Sequence, residues 1–226
     1  MIRLRVTLTI QAETPLSVGA GGSAGTIADK AIVRDGWGRP LIPGSQVKGR
    51  VRHAAEAISS ALGLALPQGF DDDTSPENVI RTIFGSPHQR SPLRFLDLIA
   101  FTVEPQEIAE PTTFDWQQIG SLRPSVSLNR QRGTAEDARL LFQEVAPAQL
   151  QFGSYPYAAI SGELPTIEHV ALLWAAICTT TRWGGAKSRG LGWAQVQAII
   201  EADGIVIERD ALADALRRLP SVGEAP

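Results

Sequence analysis

The chain has 226 residues, which suits one large domain or a smaller core carrying insertions. Its hydrophobic share of 43% allows a real core, and its net charge of −3 argues against a general polyanion binder, which would be basic overall. Any nucleic-acid site must therefore be a local patch.

In chain order, Leu4, Val6, Leu8 and Ile10 alternate with Arg5, Thr7 and Thr9, which predicts a half-buried strand. No long apolar stretch follows the first charges, so neither a signal peptide nor a membrane span is expected, and the cytoplasm is the simplest location. Residues 19–25 are Gly, Ala and Ser and read as a flexible loop. Asp35-Gly36-Trp37-Gly38 between two short apolar runs predicts a hairpin. A helix should start near Ser45, with Val47, Val51, Ala54, Ala55, Ile58 and Leu62 on one face. After an acidic loop at 71–76, a short helix is expected over 77–84 and a strand over 93–103.

Residues 104–138 are polar with little periodicity and read as an insertion. Leu140-Leu141-Phe142 and residues 149–160 read as strands around a turn at Pro147. Ile167, Val170, Ala171, Trp174, Ile177 and Cys178 mark a second amphipathic helix, with Cys178 expected to be a buried packing residue. One cysteine permits no intrachain disulfide, and His53, His88 and His169 are too scattered for zinc spacing. Residues 193–200 predict a last core strand and 210–219 a short terminal helix. The order strand, helix, strands, insertion, strands, helix, strand is compatible with an α+β fold of the ferredoxin-like kind.

Two segments break local rules. In Pro43-Gly44-Ser45-Gln46-Val47-Lys48-Gly49-Arg50-Val51-Arg52, Ser45 is a reasonable N-cap, but Lys48, Arg50 and Arg52 then oppose the helix dipole at roughly 0.3–1 kcal/mol each. Gly49 inside a helix costs about 1 kcal/mol more than alanine. A bound phosphate would resolve the conflict, because free N–H groups and cations both attract it, and Gly49 would admit a close backbone. A solvated polar face with an incidental glycine is the plainer alternative.

The second segment is Gly184-Gly185-Ala186-Lys187-Ser188-Arg189-Gly190-Leu191-Gly192-Trp193. It is not a nucleotide-binding loop, since the glycine-to-lysine spacing fails and the order is helix, glycines, strand rather than the reverse. Its glycines permit bare-backbone contact, while Lys187 and Arg189 supply charge for a sugar-phosphate chain. A glycine C-cap followed by a turn is the alternative.

Charge is also segregated. Lys30, Arg34, Arg39, Lys48, Arg50 and Arg52 meet only one acid, Asp35. Arg123, Arg130 and Arg132 lie in an acid-free stretch between Asp115 and Glu136, and Arg182, Lys187 and Arg189 lie in another between Glu168 and Glu201. Three basic stretches in an acidic chain point to one assembled groove.

Ile42-Pro43-Gly44-Ser45-Gln46-Val47-Lys48-Gly49-Arg50-Val51-Arg52 closely resembles the proline-glycine signature of the RAMP superfamily of CRISPR-associated proteins. Residues 184–192 resemble that family's C-terminal glycine-rich loop, and Leu93-Arg94-Phe95-Leu96-Asp97 and residues 140–147 are similar to its strand motifs. Within the superfamily the chain looks most like the backbone subunit of type III effector complexes, of the Csm-type or type III-D-like form. The resemblance implies one domain over 1–226, with a modified ferredoxin-like/RRM core. It places a thumb-like hairpin insertion at about 112–138 and a C-terminal extension at 201–226.

The resemblance also implies partners: CRISPR guide RNA, target RNA, neighbouring copies or paralogous RAMP subunits, and large and small effector subunits. RNA-binding residues would be Gly44, Ser45, Lys48, Arg50, Arg52, Arg123, Arg130, Arg132, Lys187, Ser188 and Arg189. Ile27-Ala28-Asp29-Lys30-Ala31-Ile32-Val33-Arg34-Asp35 is similar to the family segment that carries a catalytic aspartate, which points to Asp29, with Asp35 as second choice. Asp29 would hold Mg²⁺ (or Mn²⁺) beside a scissile phosphate. Gln46 and Ala31 depart from the family pattern, where a small residue and a proline are usual. Two rival readings are a filament subunit without catalysis and a guide-processing endonuclease using His53 as general base.

Overall fold

In the computed structural model, the structure describes residues 1–19, 29–66, 78–101, 116 and 119–222. The opening alternation forms β1 (Ile2–Ala12), with Leu4, Val6, Leu8 and Ile10 buried and Arg3, Arg5 and Thr7 facing outward. Each such aliphatic side chain contributes about 1.5–3 kcal/mol on burial, so the period of two fixes which sheet face is the inner one. The hairpin follows: Asp35 closes its turn, and Gly38 takes the positive φ of 83° that the turn requires. It leads into β2 (Leu41–Ile42) and α1 (Gly44–Ala61). Val47, Val51 and Ala55 of α1 are buried as the spacing predicted, whereas Leu62 forms its exposed C-cap.

The short helix is α2 (Val79–Phe84), started by the Asn78 side chain, which accepts from the Ile80 N–H. The strand expected over 93–103 is broken into β3 (Leu93–Phe95) and β4 (Leu98–Phe101). The break has a cause, because Asp97 turns away to accept a hydrogen bond from Gly44.

The insertion is a long two-stranded ribbon, β5 (Ser121–Asn129) and β6 (Thr134–Val145). Its second strand, β6, runs past residue 138, so Leu140-Leu141-Phe142 belongs to the hairpin and is not a separate core strand. The N-terminal part of the segment expected as thumb, 112–115 with 117 and 118, lies outside the described residues. Then come β7 (Gln151–Gly153), β8 (Ile160–Leu164), α3 (Ile167–Thr179), β9 (Ala194–Ala202), β10 (Ile205–Val206) and α4 (Arg209–Val222).

The sheet order is β10-β9-β1-β7-β4-β2, with β8 also pairing β1 and β3, and all these named pairs are antiparallel. With β3/β4 and β7/β8 each taken as one broken strand, the order is fourth, first, third, second. That is the α+β, ferredoxin-like arrangement. Inner residues of β1 share one core with Val47 and Val51 of α1 and Val170, Leu173 and Ile177 of α3. The segment expected as an extension is built into this core, since β10 pairs β9 and α4 buries Leu212, Ala215 and Leu219. Cys178 is exposed rather than buried, because α3 turns its His169–Ile177 face inward and leaves the next position on the outside. Among the described residues, no helix is long and apolar enough to cross a membrane.

Candidate nucleic-acid interface

The first motif forms the opening turns of α1, and its N-terminus differs from the expectation. Pro43, not Ser45, is the N-cap, and no side chain caps it directly. The Gly44 N–H instead donates to Asp97 Oδ1 at 2.7 Å, so an internal carboxylate already serves the helix dipole. Gly44 is buried, and a Cβ there would collide with the Phe95 carbonyl. It is thus a packing residue under the motif and offers no ligand surface of its own.

The outward side of α1 is laid out by helical spacing. Ser45, Gly49 and His53 form an exposed stripe, and nothing among the described residues lies within 4 Å of where a Gly49 Cβ would be. Lys48 and Arg52 flank this stripe on one edge, and Gln46 and Arg50 on the other. Burial, and then the charge of Arg52, push the Lys48 pKa down. Arg52 is partly neutralised by Glu56 at 2.8 Å and lies by the Gly85 carbonyl at 3.4 Å.

The second motif closes against the opposite edge of the same helix. Its path is fixed by close approaches: Gly184 (φ 73°) has no room for a Cβ against the Ser17 carbonyl, and Gly192 (φ 81°) none against the Trp183 carbonyl. Between Ala186 and Gly190, both left-handed, Lys187–Arg189 make one 3-10 turn that leaves Ser188 and Arg189 exposed and Lys187 half-buried. Two bonds tie the loop to α1: Gly184 N–H donates to Gln46 Oε1 at 3.2 Å, and Arg50 Nε donates to the Arg182 carbonyl at 3.1 Å. The unusual Gln46 therefore links the two motifs.

Arg50, Arg182 and Lys187 converge there. Arg182 donates to the Lys187 carbonyl at 3.2 Å and stacks on the Trp193 ring, 3.8 Å from its centroid. Burial, then the charges of Arg50 and Arg182, lower the Lys187 pKa. None of the three cations forms an ion pair with a carboxylate among the described residues. Such a cluster favours an anion in a way that a solvated face does not.

The hairpin supplies a further side. Arg189 Nη1 reaches Ser125 Oγ at 3.4 Å, and Arg123, two residues before Ser125, shares its strand face. Arg130 and Arg132 sit at the turn at the other end of the ribbon. At about 3.3 Å per residue, that end is roughly 20 Å from Arg123 along the strand. The structure therefore assembles Ser45, Lys48, Arg50, Lys187, Ser188, Arg189 and Arg123 around one surface, places Arg52 at its margin, and sets Arg130 and Arg132 apart.

Asp29 lies at the root of the hairpin. Its N–H donates to the Phe142 carbonyl at 3.0 Å, and its Oδ2 accepts from the Phe142 N–H at 2.8 Å. Lys30 continues this as a bridge to Gln143. The exposed carboxylate thus keeps Oδ1 without a partner among the described residues. Asp35 is in the opposite state: its Oδ2 pairs with Arg39 at 2.6 Å while its Oδ1 accepts the Trp37 and Arg39 N–H groups. It is a turn residue, and the second-choice catalytic role has no free oxygen to use.

Ser17 connects the parts. Its carbonyl accepts from Gly185 at 2.7 Å, its hydroxyl donates to the Glu144 carbonyl at 3.2 Å, and Gln143 Nε2 donates to that hydroxyl at 2.7 Å. Gln46, Arg182, Trp193, Asp97 and Ser17 were not among the residues expected to bind. All but Ser17 had a sequence signal: Gln46, Asp97 and Trp193 lie in or at the end of the quoted motifs, and Arg182 lies in an acid-free stretch.

No group of three or more His, Cys, Asp or Glu able to hold a metal occurs among the described residues. Asp29 offers one carboxylate oxygen, which suits a Mg²⁺ ion that takes one protein ligand and completes its shell with water and phosphate oxygens.

The family model of the RAMP superfamily matches residues 9–195. The CRISPR-system endoribonuclease Csm3 of Enterococcus italicus is 34% identical over 87 residues, which cover 37% of this chain and 38% of that protein. The matched stretch thus spans well under half of that relative. Two cryo-EM structures of type III-B Cmr-beta share the fold. The apo state superposes with a TM-score of 0.63 at 15% identity, covering 86% of this chain and 96% of that one. The form bound to cognate target RNA gives 0.62 at 14% identity, covering 94% and 98%.

Proposed function

The chain belongs to the RAMP superfamily, and from that membership and its surface chemistry we infer that it is a backbone subunit of a type III CRISPR effector complex, acting in the cytoplasm. The guide RNA lies along the outward stripe of α1 and the glycine-rich loop. The observation that carries this reading is the convergence of Arg50, Arg182 and Lys187, from two motifs far apart in sequence, with no paired carboxylate among the described residues. Phosphate oxygens satisfy such a cluster without reading sequence, as a subunit that must hold many different guides requires.

Target RNA pairs with that guide and is cut beside Asp29. The Asp29 carboxylate, held to Phe142 through one oxygen, presents the other toward a scissile phosphate. A Mg²⁺ or Mn²⁺ ion, when bound there, supplies positive charge to the developing phosphorane. Partners are the guide and target RNAs, neighbouring copies or paralogous RAMP subunits, and the large and small effector subunits. The hairpin supports assembly, because Val126 and Leu140 face each other across it and stay exposed, together with Leu122 and Leu128.

A second reading, a filament subunit without catalysis, is favoured by one fact: no group of three or more His, Cys, Asp or Glu that could hold a metal occurs among the described residues. The test is a complex assembled on guide RNA and given labelled target, with Mg²⁺ or with chelator. Metal-dependent cutting that Asp29→Ala abolishes, with target binding retained, supports the catalytic reading. Binding without any cutting supports the second, and failure to bind guide RNA overturns both.

A further inference from the structure

Trp193 has no charge to offer a phosphate, yet it lies directly against Arg182 of the cation cluster. It follows the last glycine of the loop, where its N–H donates to Thr14 Oγ1 at 3.0 Å and it bridges to Arg182 across an antiparallel pair. The residue is 39% exposed although the Arg182 guanidinium lies 3.8 Å from its ring centroid. The same Arg182 donates to the Lys187 carbonyl, so the ring is one side chain away from the cation cluster. Trp183, ten residues earlier, is fully buried with its Nε1–H on the Thr180 carbonyl, so the hydrophobic core at this end of the loop is already filled. Core packing therefore does not account for the second indole.

We propose that Trp193, backed by Arg182, is a stacking shelf for a nucleobase of the RNA strand whose phosphates lie on Arg50 and Lys187. The chemistry is general. A backbone held by cations leaves its bases free to lie on an adjacent aromatic face, every base has such a face, and the contact is tolerant of sequence. The guanidinium restrains the ring by cation–π attraction and holds it in one orientation before the RNA arrives. The ligand is single-stranded ribonucleotide chain, recognised by a π-face beside a phosphate site. This inference rests on the RNA-binding reading above and adds the residue that engages the base.

The test uses the full chain and two probes: a single-stranded RNA of about ten nucleotides, within the usual site size, and an abasic ribose-phosphate chain of equal length. Trp193→Ala should weaken RNA binding roughly tenfold and leave binding of the abasic chain unchanged, with the salt dependence of both preserved. Trp193→Phe, which keeps an aromatic face and guards against a folding defect, should bind RNA within about threefold of the unaltered chain. An equal loss on both probes would overturn the shelf and make Trp193 a mere support for Arg182. An unaltered chain that binds neither probe would instead overturn the RNA-binding reading, and the shelf with it.

Discussion

Arg34 Nη2 and Glu144 Oε1 lie 2.6 Å apart and clamp the root of the β5–β6 hairpin to the extended segment that begins at Asp29. Both side chains are mostly buried, and the other contacts of Arg34 are carbonyls: Gly38 at 2.6 Å, Trp116 at 2.9 Å and Ile119 at 2.7 Å. Glu144 Oε2 also accepts from the Ile32 N–H at 3.0 Å. Removing one partner leaves a desolvated charge, so Glu144→Ala should cost about 3 kcal/mol. Denaturant unfolding checks the number. A loss under about 0.5 kcal/mol, the range of a plain surface change, would mean that the clamp is not structural.

Gly49 separates a folding role from a binding role. Its surroundings are open, so Gly49→Ala should stabilise the chain by about 1 kcal/mol through helix propensity. The same change should weaken RNA binding, because the added methyl stands where a sugar-phosphate backbone approaches. Thermal melts and filter binding on one preparation decide it. Greater stability with unchanged affinity would leave Gly49 outside the interface.

Lys187 gives a pH signature. Burial and the charges of Arg50 and Arg182 hold its folded pKa below the ordinary lysine value, and a bound phosphate favours the charged form and raises it again. RNA binding therefore takes up a proton between the two values. Affinity is full below the lowered pKa and falls as pH rises through it, at less alkaline pH than an ordinary lysine would give. Lys187→Arg, always charged, should flatten that fall. Titrating affinity from neutral to alkaline pH with both proteins checks this, and identical curves would contradict it.

The two nearby aspartates should behave oppositely. Asp35→Ala removes a buried ion pair to Arg39 and the hydrogen bonds of the turn, so it should lower stability by about 3 kcal/mol. Asp29→Ala removes one exposed contact to Phe142 and should lower stability by about 1 kcal/mol while abolishing target cleavage. Parallel melts and labelled-RNA cleavage compare them. Cleavage that survives Asp29→Ala and chelation, and is lost in His53→Ala, would move the chemistry to the exposed His53 on α1.

Much of this was legible in the sequence because it was local. The alternation in β1, the apolar face of α1 and the turn at Asp35 each depend on neighbours a few residues away. The motif at 42–52 was recognisable because its cations and Gly49 contradict helix rules. What escaped was set by distant partners. Nothing near Gly44 announces that Asp97 takes its N–H, so the helix start looked like an anion site when it was already served. The ribbon hid its strands because β5 is exposed on both faces, which erases the period of two. Cys178 looked buried because apolar residues run right up to it, although α3 ends its inward face one residue earlier. Gln46 departed from the family pattern, and only the fold shows it holding Gly184.

Whether α1 and the glycine-rich loop form one phosphate-holding surface is decided most directly by salt dependence. Single-stranded RNA binding should be measured over a range of salt for the unaltered chain, Arg50→Glu, Lys187→Glu and the double variant. Each single variant should bind more weakly, with a salt slope shallower by about 0.7 for every phosphate it no longer neutralises. In the double variant the two effects should be less than additive, because both cations face one site. Unchanged affinity and slope in all three variants would contradict a shared phosphate surface.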